Sequence, residues 1–377
     1  MLVFYTAGES HGRGVFAFLD GLPAGIRVDR DLIDADLKRR QQGYGRGGRM
    51  AVERDRVDVL AGLRGGLTLG SPVLLAVWNA DHENWKDLMD PWEIRPGREF
   101  TTPRPGHADL AGAARFRHKD LRNVLERSSA RETAARVACG ALLKSFLSEL
   151  GVSAHAWVTR IGPVAFEGPF DRQARDASSV FCPDERATRE MERVIDEAAQ
   201  AGDSVGGEFA VVVEGLPAGI GSSTQWDQRL DALLARHLMS IPAVKAVQVG
   251  AGVTCGTLPG SLVHDPILPG SPKRRPTNNA GGMEGGMTNG EPVVLRCTMK
   301  PIPTLLKGMP TVDIRDGRAV TSAYERSDVC AVPAASVVGE AAAVIAVAQA
   351  VCASFAQPSM EALTAAFSEH RKYWEAL

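Results

Sequence analysis

Gly21-Leu22-Pro23-Ala24-Gly25-Ile26 recurs letter for letter as Gly215-Leu216-Pro217-Ala218-Gly219-Ile220. Both copies follow an apolar run and an acidic residue, Asp20 in one and Glu214 in the other. Both precede a helical stretch, in which Asp34-Ala35 is answered by Asp231-Ala232. A coincidental turn would account for the six letters alone. Agreement of the flanking strand and helix points instead to a duplicated strand–turn–helix unit. Two such units pack as one pseudo-symmetric body, and no low-complexity linker divides them, so we expect a single domain over residues 1–377.

Outward from the repeat, short apolar runs at Leu2–Tyr5, Val15–Leu19, Leu69–Val77, Phe209–Val213 and Val293–Met299 read as strands. Helical spacing covers Asp31–Arg40, Arg131–Leu150, Arg186–Ala201, Gln228–Met239, Ala334–Cys352 and Ser359–Tyr373. Together they predict a mixed α/β or α+β core. Ser129 and Glu132 stand at capping-box spacing before the second of these helices. Asn79–His107 and Asp265–Pro292 read as long loops, which in a compact protein commonly cover a ligand. A third, Gly-rich loop lies near residues 40–50.

Apolar content of 44% with 23% charge describes a globular chain, and a formal net charge of -2 gives no global field to recruit nucleic acid or an acidic membrane. Any anion binding must come from local basic clusters. The six cysteines are scattered without a C-x-x-C pair, which fits reduced thiols in the cytoplasm and argues against structural zinc. Met1-Leu2-Val3-Phe4-Tyr5 is too short for a signal h-region. The apolar stretch Val332–Cys352 carries Glu340 and Gln349 and reads as a buried helix.

Two histidines sit in small-residue settings, Gly8-Glu9-Ser10-His11-Gly12 and Arg104-Pro105-Gly106-His107-Ala108-Asp109. Imidazole titrates near neutral pH and glycine permits close approach, so a proton-transfer site is the leading hypothesis. His155, His237, His264 and His370 lie in ordinary contexts; His82 and His118 are ambiguous. The segment Arg39-Arg40-Gln41-Gln42-Gly43-Tyr44-Gly45-Arg46-Gly47-Gly48-Arg49 contains G-x-G-x-x-G, but it closes a helix where a dinucleotide fingerprint must open one. What remains is an arginine clamp for phosphate or carboxylate. Arg127-Ser128-Ser129-Ala130-Arg131-Glu132-Thr133 leads into the longest predicted helix and offers a second phosphate or flavin-phosphate site. In Arg326-Ser327-Asp328-Val329-Cys330, Asp328 is either an N-terminal helix acid or a base. No metal-ligand spacing and no nucleophile elbow is present.

Taken in order, the motifs at 8–12, 39–50, 104–109, 127–133, 300–304 and 326–333 resemble those of the chorismate synthase family over nearly the whole chain. Gly202-Asp203-Ser204-Val205-Gly206-Gly207 and Ile241-Pro242-Ala243-Val244-Lys245 are similar to family segments as well. The resemblance implies an α+β fold of the β-α-β sandwich type, a helical layer between two antiparallel sheets, assembled as a homotetramer. It implies trans-1,4-elimination of phosphate from 5-enolpyruvylshikimate-3-phosphate to give chorismate, the last step of the shikimate pathway. Reduced FMN is required without net redox change, lending an electron transiently and recovering it. By the match of motifs, His11 would protonate the departing phosphate and His107 the reduced flavin, while Asp328 would help take the ring proton through the flavin. Ser10, Arg40, Arg46, Arg49, Arg131 and Arg326 would hold the phosphate and carboxylates, or NADP. Arg127, Ser128, Ser129, Pro242, Ala243, Gly285, Lys300, Pro301, Ile302, Pro303, Thr304 and Arg326 would line the flavin. Ser327 stands where other members carry His.

Two rival readings share these loops. One is a flavoenzyme performing net hydride transfer from NAD(P)H. No separate nicotinamide fold is visible, so we expect flavin reduced by an NADPH-dependent or other external reductase. The other is a non-enzymatic anion-binding protein, which would leave both Gly-flanked histidines without a task.

Overall fold

The computed structural model describes residues 2–47, 54–95, 99–322 and 327–377. The first half of the chain runs β1 (Val3–Gly8), β2 (Gly14–Asp20), α1 (Arg30–Gln41), β3 (Asp58–Ala61), β4 (Leu63–Arg64), β5 (Leu67–Thr68) and β6 (Val73–Trp78), then α2 (His82–Trp85), α3 (Asp109–Phe116), α4 (Arg122–Ser128) and α5 (Thr133–Glu149). The second runs β7 (Ser153–Ile161), β8 (Val164–Ala165), α6 (Arg172–Ala177), α7 (Glu185–Gln200), β9 (Gly207–Glu214), α8 (Leu230–Met239) and β10 (Val244–Val249). It continues with α9 (Gly260–Val263), β11 (Met283–Glu284), β12 (Met287–Thr288), β13 (Val293–Met299), β14 (Pro310–Val312), β15 (Ala319–Thr321), α10 (Val332–Phe355) and α11 (Met360–Ala376).

Two antiparallel sheets carry the same order in space. The first is β1-β2-β6-β3; the second, read from β7, is β7-β9-β13-β10, with β8 added at its edge. The repeated hexapeptide follows the second strand of each. Its glycines are repeated because the turn needs them: φ is +84° and +91° at Gly21 and Gly25, +87° and +95° at Gly215 and Gly219, where a Cβ is disfavoured. Each turn is closed by a buried threonine. Thr68 Oγ1 donates to Pro23 O at 2.7 Å and accepts from Ile26 N at 2.9 Å. Thr288 Oγ1 donates to Pro217 O at 2.6 Å and accepts from Ile220 N at 2.9 Å. The threonines belong to a second repeat, Gly62-Leu63-Arg64-Gly65-Gly66-Leu67-Thr68 against Gly282-Met283-Glu284-Gly285-Gly286-Met287-Thr288, whose paired glycines turn the β4–β5 and β11–β12 hairpins.

α5 packs on β2 and β6, α10 packs on β7 and β9, and the two helices pack on each other. One apolar core runs through both halves. α10 is the one helix among the described residues long and apolar enough to cross a membrane, and 94% of its apolar window is buried inside the protein. Its single charge, Glu340, is buried, accepts from Arg39 at 2.6 Å and from Ala156 N at 2.8 Å, and pairs with Lys144. The two helices touch closely at Gly140, where an added Cβ would lie 2.5 Å from Ala341 Cβ and 2.6 Å from its Cα. Gly140→Ala is therefore expected to push α5 and α10 apart and cost about 1–3 kcal/mol. Urea denaturation checks this; an unchanged midpoint would mean the helices separate freely.

Some expected boundaries move. The strand foreseen at Leu69–Val77 begins at Val73, because the β4–β5 hairpin and the Gly70 turn (φ +76°) occupy its start. The capping box does not close. Ser129 accepts from Arg131 N at 3.3 Å, but the Glu132 carboxylate is drawn to Thr6 Oγ1 at 2.6 Å and to Arg136 Nε at 3.0 Å. The foreseen loop at 79–107 holds α2, and that at 265–292 holds the β11–β12 hairpin. Arg49 and Arg326 lie outside the described residues.

Candidate active site

A cavity of about 480 Å³ opens between the end of α1, the start of α5, the 104–109 loop, the 241–243 and 299–304 segments and the start of α10. Among the described residues its wall carries Arg40, Arg46, Arg104, Arg131 and Lys300 against one carboxylate of its own, Asp328. That imbalance selects a ligand bearing several negative charges. The floor is apolar, from Leu125, Ile241, Met299, Ala335 and Val338, and the volume falls in the range of small-molecule sites.

The arginines are held before any ligand arrives. Asp55, its side chain fully buried, accepts from Arg131 Nη1 at 2.6 Å and from Arg40 Nη1 at 3.2 Å. Arg131 Nε also donates to Asn79 Oδ1 at 2.6 Å, and Arg40 Nε to Thr133 Oγ1 at 3.0 Å. Burial pushes the Arg40 pKa down to about 10, with Asp55 opposing and Arg131 adding to the fall. It stays charged at neutral pH. Arg46 Nη1 donates to Asp328 Oδ2 at 2.5 Å and Gly47 N to Asp328 Oδ1 at 2.7 Å. This fixes the carboxylate at the cavity wall.

His107 is half of a dyad. Its Nδ1 lies 2.5 Å from Asp109 Oδ1, and Arg104 Nε donates to Asp109 Oδ2 at 2.9 Å. Burial alone would raise the Asp109 carboxyl. Hydrogen bonds from His107 and Arg104 outweigh it and hold the group well below the usual carboxylate range. An ionised acid on Nδ1 keeps the proton there, the tautomer being assigned from this partner, so Nε2, 3.4 Å from Arg104 Nη2, is the nitrogen for chemistry. Lys300 Nζ ties the loop by donating to Gly106 O at 3.0 Å. Burial first, and Lys245 second, lower its pKa.

His11 does not line this cavity, although it was expected at the chemistry. Its neighbour Ser10, also off the wall, donates to Ser129 Oγ at 3.0 Å, and Ser129 does line it. The His11 dyad therefore stands one residue behind the wall. Its Nδ1 lies 2.9 Å from Glu126 Oε1, and its backbone N–H donates to Glu126 Oε2 at 2.8 Å.

Of the residues expected around a flavin, Ser128, Ser129, Pro242, Ala243, Lys300, Ile302, Pro303 and Thr304 line the cavity. Three do not. Arg127 donates to Thr6 O at 2.9 Å and Gly8 O at 3.3 Å, so its guanidinium fastens β1. Pro301 is exposed. Gly285 sits in the β11–β12 turn, nearest Ser223, away from this cavity. Sequence reasoning missed Asp55, Asn79, Arg104, Asp109 and Glu126 as site residues. Only Arg104 and Asp109 had a local signal, since they flank His107 in its motif. Three other histidines serve the fold: His82 Nδ1 contacts His11 O at 3.0 Å, His370 Nε2 contacts Ala218 O at 2.7 Å, and His237 Nε2 contacts Gln349 at 2.8 Å. Burial lowers the His237 pKa to about 4.

A family model described as chorismate synthase matches residues 2–352. A chorismate synthase of Moorella thermoacetica is 50% identical over 383 residues, covering 100% of both chains. One of Desulforudis audaxviator is 51% identical over 386 residues, covering 100% of this chain and 98% of that protein. A solved structure described as chorismate synthase superposes with a TM-score of 0.80 at 37% identity, covering 99% of this chain and 98% of that one.

Proposed function

The chain belongs to the chorismate synthase family, carbon–oxygen lyases that convert 5-enolpyruvylshikimate-3-phosphate to chorismate, and we propose how its cavity performs that elimination. One observation carries the assignment of the site: among the described residues, a wall of five basic side chains with a single carboxylate of its own. The substrate brings one phosphate and two carboxylates. Arg40, Arg46 and Arg131 bind it, joined by Arg49 and Arg326 from the resemblance. Because Asp55 and Asp328 already orient three of these arginines, little reorganisation accompanies binding.

His11 and His107 supply protons, each with a buried carboxylate on Nδ1. Asp328, aimed by Arg46 and the Gly47 amide, would help take the ring proton through the flavin. The apolar floor between Ser128-Ser129 and Lys300–Thr304 fits the ring of reduced FMN, and Lys300 offers it a cation. When bound, reduced FMN lends and takes back an electron as phosphate leaves, with no net redox change. The flavin arrives reduced by an NADPH-dependent or other external reductase; NADPH oxidation by the pure protein would overturn this.

Matched strand order and matched Thr68 and Thr288 turns support a single β-α-β sandwich built by pseudo-duplication. Exposed Val253, Leu258, Leu262, Ile267 and Leu268 support self-association, as in the family's homotetramer, and the free cysteines suit the cytoplasm.

The deciding experiment is anaerobic phosphate release from 5-enolpyruvylshikimate-3-phosphate, with and without dithionite-reduced FMN. Release accompanied by chorismate absorbance, only with reduced flavin, is the expected result. No release while FMN still binds would make this a flavoprotein of another reaction class.

A further inference from the structure

The two histidine dyads share a plan, but only one is roofed. In both, a buried carboxylate meets Nδ1 and an arginine backs the carboxylate: Asp109 with Arg104 for His107, Glu126 with Arg122 for His11. His11 has an addition. The indole of Trp85, at the end of the single-turn helix α2, stacks on its imidazole with centroids 3.9 Å apart and planes 24° from parallel. The Arg122 guanidinium also lies over that indole, 5.1 Å from the ring centroid. Arg122 Nη1 returns to Glu126 Oε1 at 3.3 Å, so His11, Glu126, Arg122 and Trp85 form a closed circuit. Asp81 Oδ2 accepts from Trp85 Nε1 at 3.1 Å and fixes the indole in turn. Trp85 itself is not part of the hydrophobic core.

We propose that Glu126 and Trp85 are positioning residues for His11. The carboxylate retains the Nδ1 proton and the indole fixes the ring plane, so Nε2 is the nitrogen that gives up a proton, which crosses the one residue separating the dyad from an anion at the wall. The carboxylate does for this imidazole what the buried acid does in a catalytic triad: it selects the tautomer and balances the ring's charge. The indole presents a negative π-face to that charge. This proposal rests on His11 being a proton donor in the elimination.

The test is steady-state turnover under anaerobic conditions with reduced FMN, on Glu126→Gln, Trp85→Leu, Trp85→Phe, His11→Ala and the double variant His11→Ala with Glu126→Gln. Glu126→Gln is expected to lower kcat at least about tenfold, with the substrate KM within about threefold, as for loss of a second-layer partner. Trp85→Leu is expected to lower kcat about fivefold, and Trp85→Phe to recover most of that loss, because a phenyl ring restores the stack. In the His11→Ala background, Glu126→Gln is expected to change kcat by less than about twofold, since both changes remove one function. Wild-type kcat in Glu126→Gln, with His11→Ala inactive, would overturn the positioning role and leave His11 as the donor. Multiplicative losses in the double variant would mean Glu126 acts elsewhere and would overturn it too. Full turnover in His11→Ala would remove the reading beneath it, and the proposal with it.

Discussion

Asp55→Asn is expected to destabilise the protein by about 3–5 kcal/mol, the cost of leaving buried charge uncompensated. Asp55 is fully buried between Arg40 and Arg131, whose side chains are 5% and 2% exposed. Its two oxygens are divided between them, one each. Without the charge, two guanidiniums face each other across a dry gap, and Arg131 already works against the charge on Arg40. Asparagine keeps the volume, so the loss reports charge and not a cavity. Urea denaturation gives the figure. Adding inorganic phosphate or substrate is expected to restore part of it, because an anion bound at the same wall replaces the missing carboxylate. A loss under about 1 kcal/mol would show that solvent, not Asp55, neutralises the pair.

His107→Ala is expected to cut turnover by about 10²-fold or more, the usual contribution of a general acid. The affinity for FMN is expected to change little, since Lys300, Thr304 and the apolar floor stay in place. Asp109 keeps Arg104 when the imidazole goes, so the loop retains its anchor. Turnover measured anaerobically, beside flavin binding followed by fluorescence, separates the two effects. Turnover at the wild-type level would remove His107 from the chemistry. Loss of both together would instead mean that the imidazole holds the loop.

What was legible in the chain was what is local. The repeated hexapeptide announces its turn because two of its glycines need positive φ, a demand met within six residues. The long helices and the strand Val293–Met299 show in their apolar runs. Strand β7 was missed because Ser153–Ile161 carries His155, Thr159 and Arg160 among its apolar residues and is only partly covered. β10 was missed for a similar reason, with Lys245 and Gln248 interrupting Val244–Val249. The Gly-Gly hairpin repeat escaped notice because only its glycines and threonine are identical; the apolar positions trade Leu for Met. In the site, the arginine clusters and Gly-flanked histidines were visible as composition. Asp55 and Glu126 were not. Asp55 reaches Arg131 across 76 residues and Glu126 reaches His11 across 115, and a lone acid at such range leaves no pattern.

The place of α10 in the chain governs how a newborn molecule completes itself. This helix is buried on nearly all sides and packs against α5, yet it begins more than three hundred residues after β1. While the ribosome is still making the second half, the face of α5 that will meet it has nothing to cover it. Asp328, which pins Arg46, emerges just as late. Closing such distant contacts is slow, and the exposed apolar face is a hazard in the interval. The anion cavity is thus completed only when the last third of the chain arrives, bringing Lys300, Asp328 and the start of α10 to the Arg40–Asp55–Arg131 cluster of the first half.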